Sequence, residues 1–362
     1  MKVQQAIETI ISYGQECRKA QGQLLPSQKE AVTAALSWFL ETQDKEALSQ
    51  LAQAGVAMRN RYCGPRLAVR GLVEFSSYCG NTCLYCGLNR GNSQAERYRL
   101  TKEEILTCAS AICDAQIGTM VLQSGEDGTK AEFLEEVLRS VKAAHPNLAI
   151  TLSVGERSAE DYRRWKAAGA DRFLLRIESS DPELYASLHQ GRRVETRIQC
   201  LDTLQALGYQ TGSGLMIRVP GQATSHIVKD LLFFAEKGYD MVGIGPFIPH
   251  PDTPFRHEKA GSVDLTLRTV SLARLLLPEA WIPATTALGS MDRDYRLDAL
   301  MQGANVVMPN FSPEDCKKKY AIYPGKRCIS EENTTAPTML APLATAAGLT
   351  VDTSRADAPR MG

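Results

Sequence analysis

Neither sign of charge is in excess: 41 lysines and arginines stand against 41 aspartates and glutamates in 362 residues. Proteins that hold nucleic acid or lie on an anionic membrane usually carry a basic surplus, so the balance argues against both roles. No apolar run approaches the ~20 residues that span a bilayer. The opening Met1-Lys2-Val3-Gln4-Gln5 starts an amphipathic pattern and has neither the apolar core nor the cleavage site of a secretion signal. Internal repeats and low-complexity blocks are also missing. The expected setting is the cytoplasm, where thiols stay reduced and disulfides are rare.

Cysteine, by contrast, is plentiful, with ten in the chain. Cys17, Cys63, Cys108, Cys113, Cys200, Cys316 and Cys328 are scattered and read as small side chains that bury readily. Cys79, Cys83 and Cys86 are clustered in a C-x3-C-x2-C pattern. A zinc site would want a fourth ligand nearby, yet the first histidine is His145. Three thiolates suit three irons of a cubane and leave the fourth without a protein ligand, the open position a catalytic metal needs. One oxygen-sensitive [4Fe–4S] cluster on these three residues is the expectation.

Periodicity predicts helices over Val3–Ala20, with Ile7, Ile10 and Ile11 on one face, Gln28–Thr42 and Lys45–Arg59. Cys63-Gly64-Pro65-Arg66 breaks that pattern. Beyond it, strands are predicted at Leu72–Ser76, Thr119–Gln123, Ala149–Ser153, Arg172–Ile177, Thr211–Ile217, Met241–Gly245, Trp281–Thr285 and Ala304–Met308, separated by helical stretches. This rhythm fits an α/β chain folded as a (β/α)8 TIM-type barrel, with a doubly wound open sheet as the rival. The expected organisation is a helical segment capping the barrel over residues 1–65 and the barrel itself over 66–328. A partly disordered extension follows over 329–362, with one short helix near Leu340–Ala347.

In a barrel the catalytic end lies where the strands finish, and there the sequence becomes polar. Ser77 to Cys86 follows the first strand; Gln123-Ser124-Gly125-Glu126-Asp127 ends the second; Ser153-Val154-Gly155-Glu156-Arg157 ends the third. Alternation along the fourth points Arg172, Leu174, Arg176 and Glu178 to one side. Such charges need partners inside a barrel, either a bound zwitterion or a layer of salt bridges. Gly212–Gly221 and Gly243–His250 permit either close approach of a ligand or only tight turns. Thr285 and Thr286, ending the seventh strand, offer donors to an anion or are ordinary threonines.

The cysteine spacing, with aromatic Tyr85 before the last ligand, resembles the signature of the radical S-adenosylmethionine (SAM) superfamily. The resemblance implies that SAM chelates the open iron and is split by the reduced cluster to methionine and a 5′-deoxyadenosyl radical, so no protein acid or base is expected to be catalytic. It places Tyr85 near the adenine and Ser124, Gly125 and Glu126 at the SAM amino group. Ser153, Arg176, Glu178 and Arg197 complete the SAM site. Within the superfamily the chain resembles the HydE family of [FeFe]-hydrogenase maturases from about Arg70 to Lys326. Glu74-Phe75-Ser76, Cys83 to Leu88, Arg97-Tyr98-Arg99, Ser153 to Arg157, Gly245 to Pro251 and Tyr320 to Gly325 carry the likeness. It implies radical attack on a cysteine-bound iron carbonyl cyanide precursor, a low-potential electron donor, and partnership with the maturases HydF and HydG. Arg172, Thr285 and Thr286 would form an anion pocket for that substrate, bordered by Gln123, Tyr320 and Tyr323.

Some HydE-like proteins carry a second cluster on three C-terminal cysteines. Here Cys328 has no cysteine after it, and only Cys316 precedes it nearby, so no second iron–sulfur cluster is expected. The same shortage weakens a biotin synthase reading. A methylornithine synthase acting on an amino-acid-like substrate is the nearest enzymatic rival, and an iron–sulfur carrier without radical chemistry the non-enzymatic one.

Overall fold

The computed structural model describes residues 2–19, 25–326 and 336–359. The chain starts with three helices, α1 (Val3–Lys19), α2 (Pro26–Glu41) and α3 (Lys45–Cys63). Asp44 starts α3 by accepting from the Glu46 and Ala47 amides, which relieves two of the orphan donors of its first turn. Ala6, Ile7 and Ile10 of α1 are buried, and Ile11 packs at the edge of the same core.

The body alternates strands and helices. Strands β1 (Arg66–Val69), β2 (Gly71–Ser76), β3 (Thr119–Ser124), β4 (Ala149–Ser153), β5 (Arg172–Leu174), β6 (Gln210–Ile217), β7 (Met241–Pro246), β8 (Val306–Val307) and β9 (Thr350–Asp352) follow in chain order. Between them run α4 (Lys102–Asp114), α5 (Ala131–Ala144), α6 (Ala159–Ala167), α7 (Pro182–Leu188), α8 (Val194–Ala206), α9 (Thr224–Lys237) and α10 (Val263–Leu276). Thr101 and Glu104 form a capping box at the start of α4. Helix α10 is buried over most of its length, lying between β7 and the amino-terminal helices, which also touch α9. Among the described residues no helix is long and apolar enough to cross a membrane.

The fold is α/β, with β2 to β7 forming one six-stranded parallel sheet in sequence order. Strand interiors are apolar on the helix side. Phe173 of β5, for example, packs edge-on to Tyr162 and Tyr209 with ring centroids 5.1 and 6.0 Å away. Burying such a ring contributes roughly 2–3 kcal/mol. The expected seventh strand is reduced to single parallel bridges, Met241 to Trp281 and Pro283 to Val306. The eighth is the two-residue β8, which pairs with β1 in a second sheet of order β8-β1-β9, and Asn310 bridges to Leu72 of β2. Six strands of the predicted eight therefore make a continuous sheet, and the other two are reduced to isolated bridges and a two-residue strand.

The carboxy-terminal tail departs from expectation. Helix α11 (Thr286–Gly289), α12 (Arg296–Leu300) and α13 (Glu314–Lys317) precede it, and α14 (Ala336–Ala346) includes the predicted helix. Beyond α14 the described residues are folded where disorder is expected: β9 pairs parallel with β1, and Arg355 and Asp357 run beneath the amino-terminal ends of the strands. Cys328, with the rest of 327–335 and residues 360–362, lies outside the described residues.

The reason for this order is charge. Arg172, the first residue of β5, has a fully buried side chain. Its guanidinium donates to Asp357 Oδ1 (2.6 Å), the Arg355 carbonyl (2.5 Å), Gln210 Oε1 (3.2 Å) and Thr119 Oγ1 (3.2 Å). Removing a buried ion's partner leaves an uncompensated charge. Asp357→Ala is expected to lower stability by about 2–4 kcal/mol, read as a fall in the urea midpoint with an unchanged slope. An unchanged midpoint would mean that the tail does not neutralise Arg172.

Candidate functional site

The stretch from Ser77 to Leu100 has little regular structure, so its backbone groups need other partners. Arg97 supplies several at once. Its guanidinium donates to the carbonyls of Ser77 (2.6 Å), Leu88 (2.9 Å), Asn89 (2.8 Å) and Asn92 (3.4 Å). Ser77 and Tyr98 hold the loop's two ends together, Ser77 N–H donating to the Tyr98 carbonyl (3.1 Å) and Tyr98 N–H to Ser77 Oγ (2.9 Å). The loop is a folded object, and it presents Cys79, Cys83 and Cys86 half-buried and free of disulfides.

Burial pushes the Cys83 thiol up to about 12, with Cys79 adding to the effect, and raises Cys79 and Cys86 as well. Thiols so placed stay protonated until a cation compensates them. Among the described residues no three His, Cys, Asp or Glu side chains converge as ligands of one metal ion would. Three thiols on one loop are the number and kind of ligand that a cubane takes, each on a different iron.

The loop docks on the end of β3. Gly80 N–H donates to the Glu126 carbonyl (2.8 Å) and Gly125 N–H to the Ser76 carbonyl (3.2 Å). A Cβ at position 125 would fall 2.3 Å from the Tyr78 carbonyl oxygen and 2.8 Å from Cys79 Cβ, so only glycine fits. Ser124 donates to the Gly125 carbonyl (2.6 Å) and stiffens the turn.

Next to this turn lies a network of alternating charges. Glu126 pairs with Arg197, whose Nε donates to Glu156 (2.7 Å) and whose Nη1 donates to the Arg176 carbonyl (2.9 Å). Arg192 bridges the same two carboxylates, 2.8 Å from Glu156 and 3.5 Å from Glu126. Arg176 forks onto both oxygens of Glu178 (2.8 and 2.9 Å) and onto the Leu215 carbonyl (2.9 Å). Glu178 has a φ of 61°, which ends the strand alternation that sequence alone would extend from Arg172. Gly155 has a φ of 81°, and a Cβ there would lie 1.7 Å from Glu126 Cγ.

The predicted residues can now be placed. Tyr85, Ser124, Gly125, Glu126, Arg176, Glu178 and Arg197 gather at the carboxy-terminal ends of the strands around the cysteine loop, and Ser153 ends β4 beside them. The Gln123 amide lies 3.4 Å from the Tyr320 hydroxyl, and Tyr323 is within electrostatic reach of Arg176. Thr285 is buried against β7, its hydroxyl 3.3 Å from the Ile244 carbonyl, with half-buried Thr286 opening α11. Arg172 is a correction: it sits at the opposite end of the sheet, paired with Asp357, and Arg176 is the guanidinium that shares the upper end with the tyrosines. Arg172 and Arg176 pair with protein carboxylates, Asp357 and Glu178, which is the salt-bridge alternative of the two raised for these charges.

Sequence reasoning missed Arg192, His189 and a buried ion pair between Glu74 and Lys326, which Asn310 completes by donating to Glu74 Oε2 (2.8 Å). Glu156 was visible in the polar end of β4 but had no assigned role. Arg192 and His189 lie in the connection from α7 to α8, where no periodicity or motif marks them. Burial, with Arg197 nearby, pushes His189 down to about 3, so its ring is neutral.

A parallel α/β sheet with a cysteine-bearing loop after its first strand and a glycine-carboxylate turn after its second is the arrangement expected of a radical SAM protein. The profile of the radical SAM superfamily matches residues 73–234. The chain is 46% identical over 290 residues, 80% of its length and 82% of the relative's, to the [FeFe] hydrogenase maturase subunit HydE of Thermotoga maritima. It is 30% identical over 282 residues to the 3-methylornithine synthase of Methanosarcina acetivorans, covering 77% of this chain and 79% of that one. The crystal structure of methylornithine synthase (PylB) superposes with a TM-score of 0.76 at 25% identity, covering 94% of this chain and 97% of that one. The chain belongs to the radical SAM superfamily, whose members work with an iron–sulfur cluster and SAM.

Gly155→Ala forces Glu126 aside and adds backbone strain of about 1–3 kcal/mol. SAM affinity, read by equilibrium dialysis of the anaerobically reconstituted protein, is expected to fall at least ~10-fold. Gly208→Ala, with φ of 74° and nothing within 4 Å of its Cβ, is the control for strain without collision. Equal SAM affinity in the two variants would remove Glu126 from the site.

Proposed function

We infer that this chain is a radical SAM enzyme of [FeFe]-hydrogenase maturation that acts on a cysteine-bound iron carbonyl cyanide precursor. The observation that carries this reading is the 46% identity to the Thermotoga maritima HydE subunit, set against 30% to the methylornithine synthase over a similar length. On this reading Cys79, Cys83 and Cys86 hold a [4Fe–4S] cluster, and SAM lies among Tyr85, Ser124, Gly125, Glu126, Ser153, Arg176, Glu178 and Arg197. Bound there, cluster and SAM together supply an electron and a carbon-centred radical.

The protein's own part is to bind, orient and exclude water. The Glu126–Arg197–Glu156–Arg192 network presents both signs of charge to a zwitterion, fixed in advance by its internal pairing. Thr285 and Thr286 supply donors for an anionic substrate, with Gln123, Tyr320 and Tyr323 as its walls. The single parallel bridges Met241 to Trp281, Pro283 to Val306 and Leu72 to Asn310 support the reading of the sheet as part of a (β/α)8 barrel. HydF and HydG are the expected partners, with a low-potential protein as electron donor.

The second reading, an amino-acid-like substrate, is favoured by the PylB superposition and by the buried Glu74–Lys326 pair, which puts both signs of charge inside the sheet. One assay separates the two. An apo-[FeFe]-hydrogenase is activated anaerobically by defined maturases with this protein as the only source of the HydE step, while SAM cleavage and lysine turnover are followed in the same preparation. The maturase reading predicts hydrogen evolution that is lost in Cys79, Cys83 or Cys86 variants. Competent SAM cleavage without hydrogen, and with lysine consumed, would overturn it in favour of the second.

A further inference from the structure

Tyr85 stands between two of the three clustered cysteines in sequence, and its hydroxyl meets both the Cys83 thiol and His189. It lies 2.8 Å from Nε2 of His189. The other ring nitrogen, Nδ1, is 3.1 Å from the carbonyl oxygen of Tyr185. A carbonyl only accepts, so Nδ1 carries the hydrogen and a neutral ring offers its lone pair at Nε2. The Tyr85 hydroxyl is then the donor.

The acceptor is held on all sides. His189 is 3% exposed, stacks on Tyr185 with centroids 4.2 Å apart at 26°, and meets Tyr85 edge-on at 5.5 Å and 89°. Leu84 N–H donates to the Leu188 carbonyl (3.1 Å), so backbone and side chain tie consecutive residues of the cysteine loop to the end of α7. Arg192 N–H donates to the His189 carbonyl (2.9 Å), and the guanidinium of the same residue enters the carboxylate network. The histidine thus joins the cysteine loop to the charges that face the ligand.

We propose that His189 is a positioning residue for SAM: as a neutral hydrogen-bond acceptor it fixes the rotation of Tyr85, and with it the wall beside the adenine end of the cofactor. The proposal rests on the radical SAM reading and is independent of which substrate follows. A purely structural histidine would fill the same volume without depending on the Tyr85 hydroxyl, and this difference can be measured.

The test uses the anaerobically reconstituted full chain and its His189→Phe, His189→Gln, Tyr85→Phe and His189→Phe/Tyr85→Phe variants. SAM affinity is measured by equilibrium dialysis, and the SAM-induced change in the electron paramagnetic resonance spectrum of the reduced cluster is recorded. With iron content unchanged, His189→Phe and Tyr85→Phe are each expected to weaken SAM binding about 10-fold and to broaden the SAM-bound spectrum. The double variant is expected to be no worse than either single one. His189→Gln, whose amide oxygen can accept, recovers most of the affinity and keeps the proposal testable if the phenylalanine variant does not fold. Wild-type affinity in Tyr85→Phe, or losses that add in the double variant, would overturn the proposal. A wild-type protein that holds four irons but binds no SAM would overturn the underlying radical SAM reading, and the proposal with it.

Discussion

The carbonyl oxygen of Glu126 accepts from Gly80 in the cysteine loop, while its carboxylate is bracketed by Arg197 and Arg192. One residue therefore sets the height of the loop above the sheet through its backbone and the position of two guanidiniums through its side chain. Arg197 extends the connection to Glu156 at the end of β4 and to the Arg176 carbonyl beyond β5. These charges are largely withdrawn from water, and such groups are tolerated only when paired and hydrogen-bonded. The pairing makes the loop, two strand ends and the start of α8 a single electrostatic unit. Gly125 lets the cysteine loop come close, and Gly155 leaves room for the Glu126 side chain, so that the unit can form.

Charge is separated along the strands as well as paired across them. Arg172 and Arg176 are four residues apart in sequence, yet one is neutralised beneath the sheet by Asp357 and the other above it by Glu178. The lower pair commits the tail to structure, since Arg355 also reaches Asp171 (3.0 Å) and the Ala358 amide donates to Gln210 (2.8 Å). The upper end is closed by a different device. Lys326 reaches down to Glu74 and lies 4.8 Å from the Tyr320 ring centroid, while Gly87 N–H donates to the Ile322 carbonyl (3.1 Å). The segment bearing Tyr320 and Tyr323 is thereby fastened both to β2 and to the cysteine loop.

Much of this was legible in the sequence because it is local. Three cysteines in one loop, a polar quintet after each early strand and the periodicity of β2 to β7 are patterns within a few residues of each other. Six predicted strands appear within a few residues of their expected limits. The rest depends on distant partners. Alternation assigns a face but not a level along the strand, so it could not separate Arg172, at the start of β5, from Arg176 four residues further on. Strand β9 is three residues long in a stretch whose composition reads as disordered, and only its pairing with β1 and the charge of Arg172 give it order. The seventh strand fails because Trp281 and Pro283 each make a single bridge. His189 carries no sequence signal at all, since its role is set by the Tyr85 hydroxyl 104 residues earlier.

The likeness to two families with different substrates follows from the same division. On the proposed reading, the cysteine loop, the glycine-carboxylate turns and the charge network that includes Arg176 meet SAM, while Thr285, Thr286 and the tyrosines are left to the substrate. The central claim is that three cysteines on one loop carry a cubane whose fourth iron is left to SAM. Mössbauer spectroscopy of protein reconstituted with 57Fe, before and after SAM is added, tests it most directly. The account predicts a four-iron cluster in which one site alone changes on SAM addition, and its loss in Cys83→Ser. Iron sites indifferent to SAM, or a cluster that survives the loss of Cys83 unchanged, would contradict it.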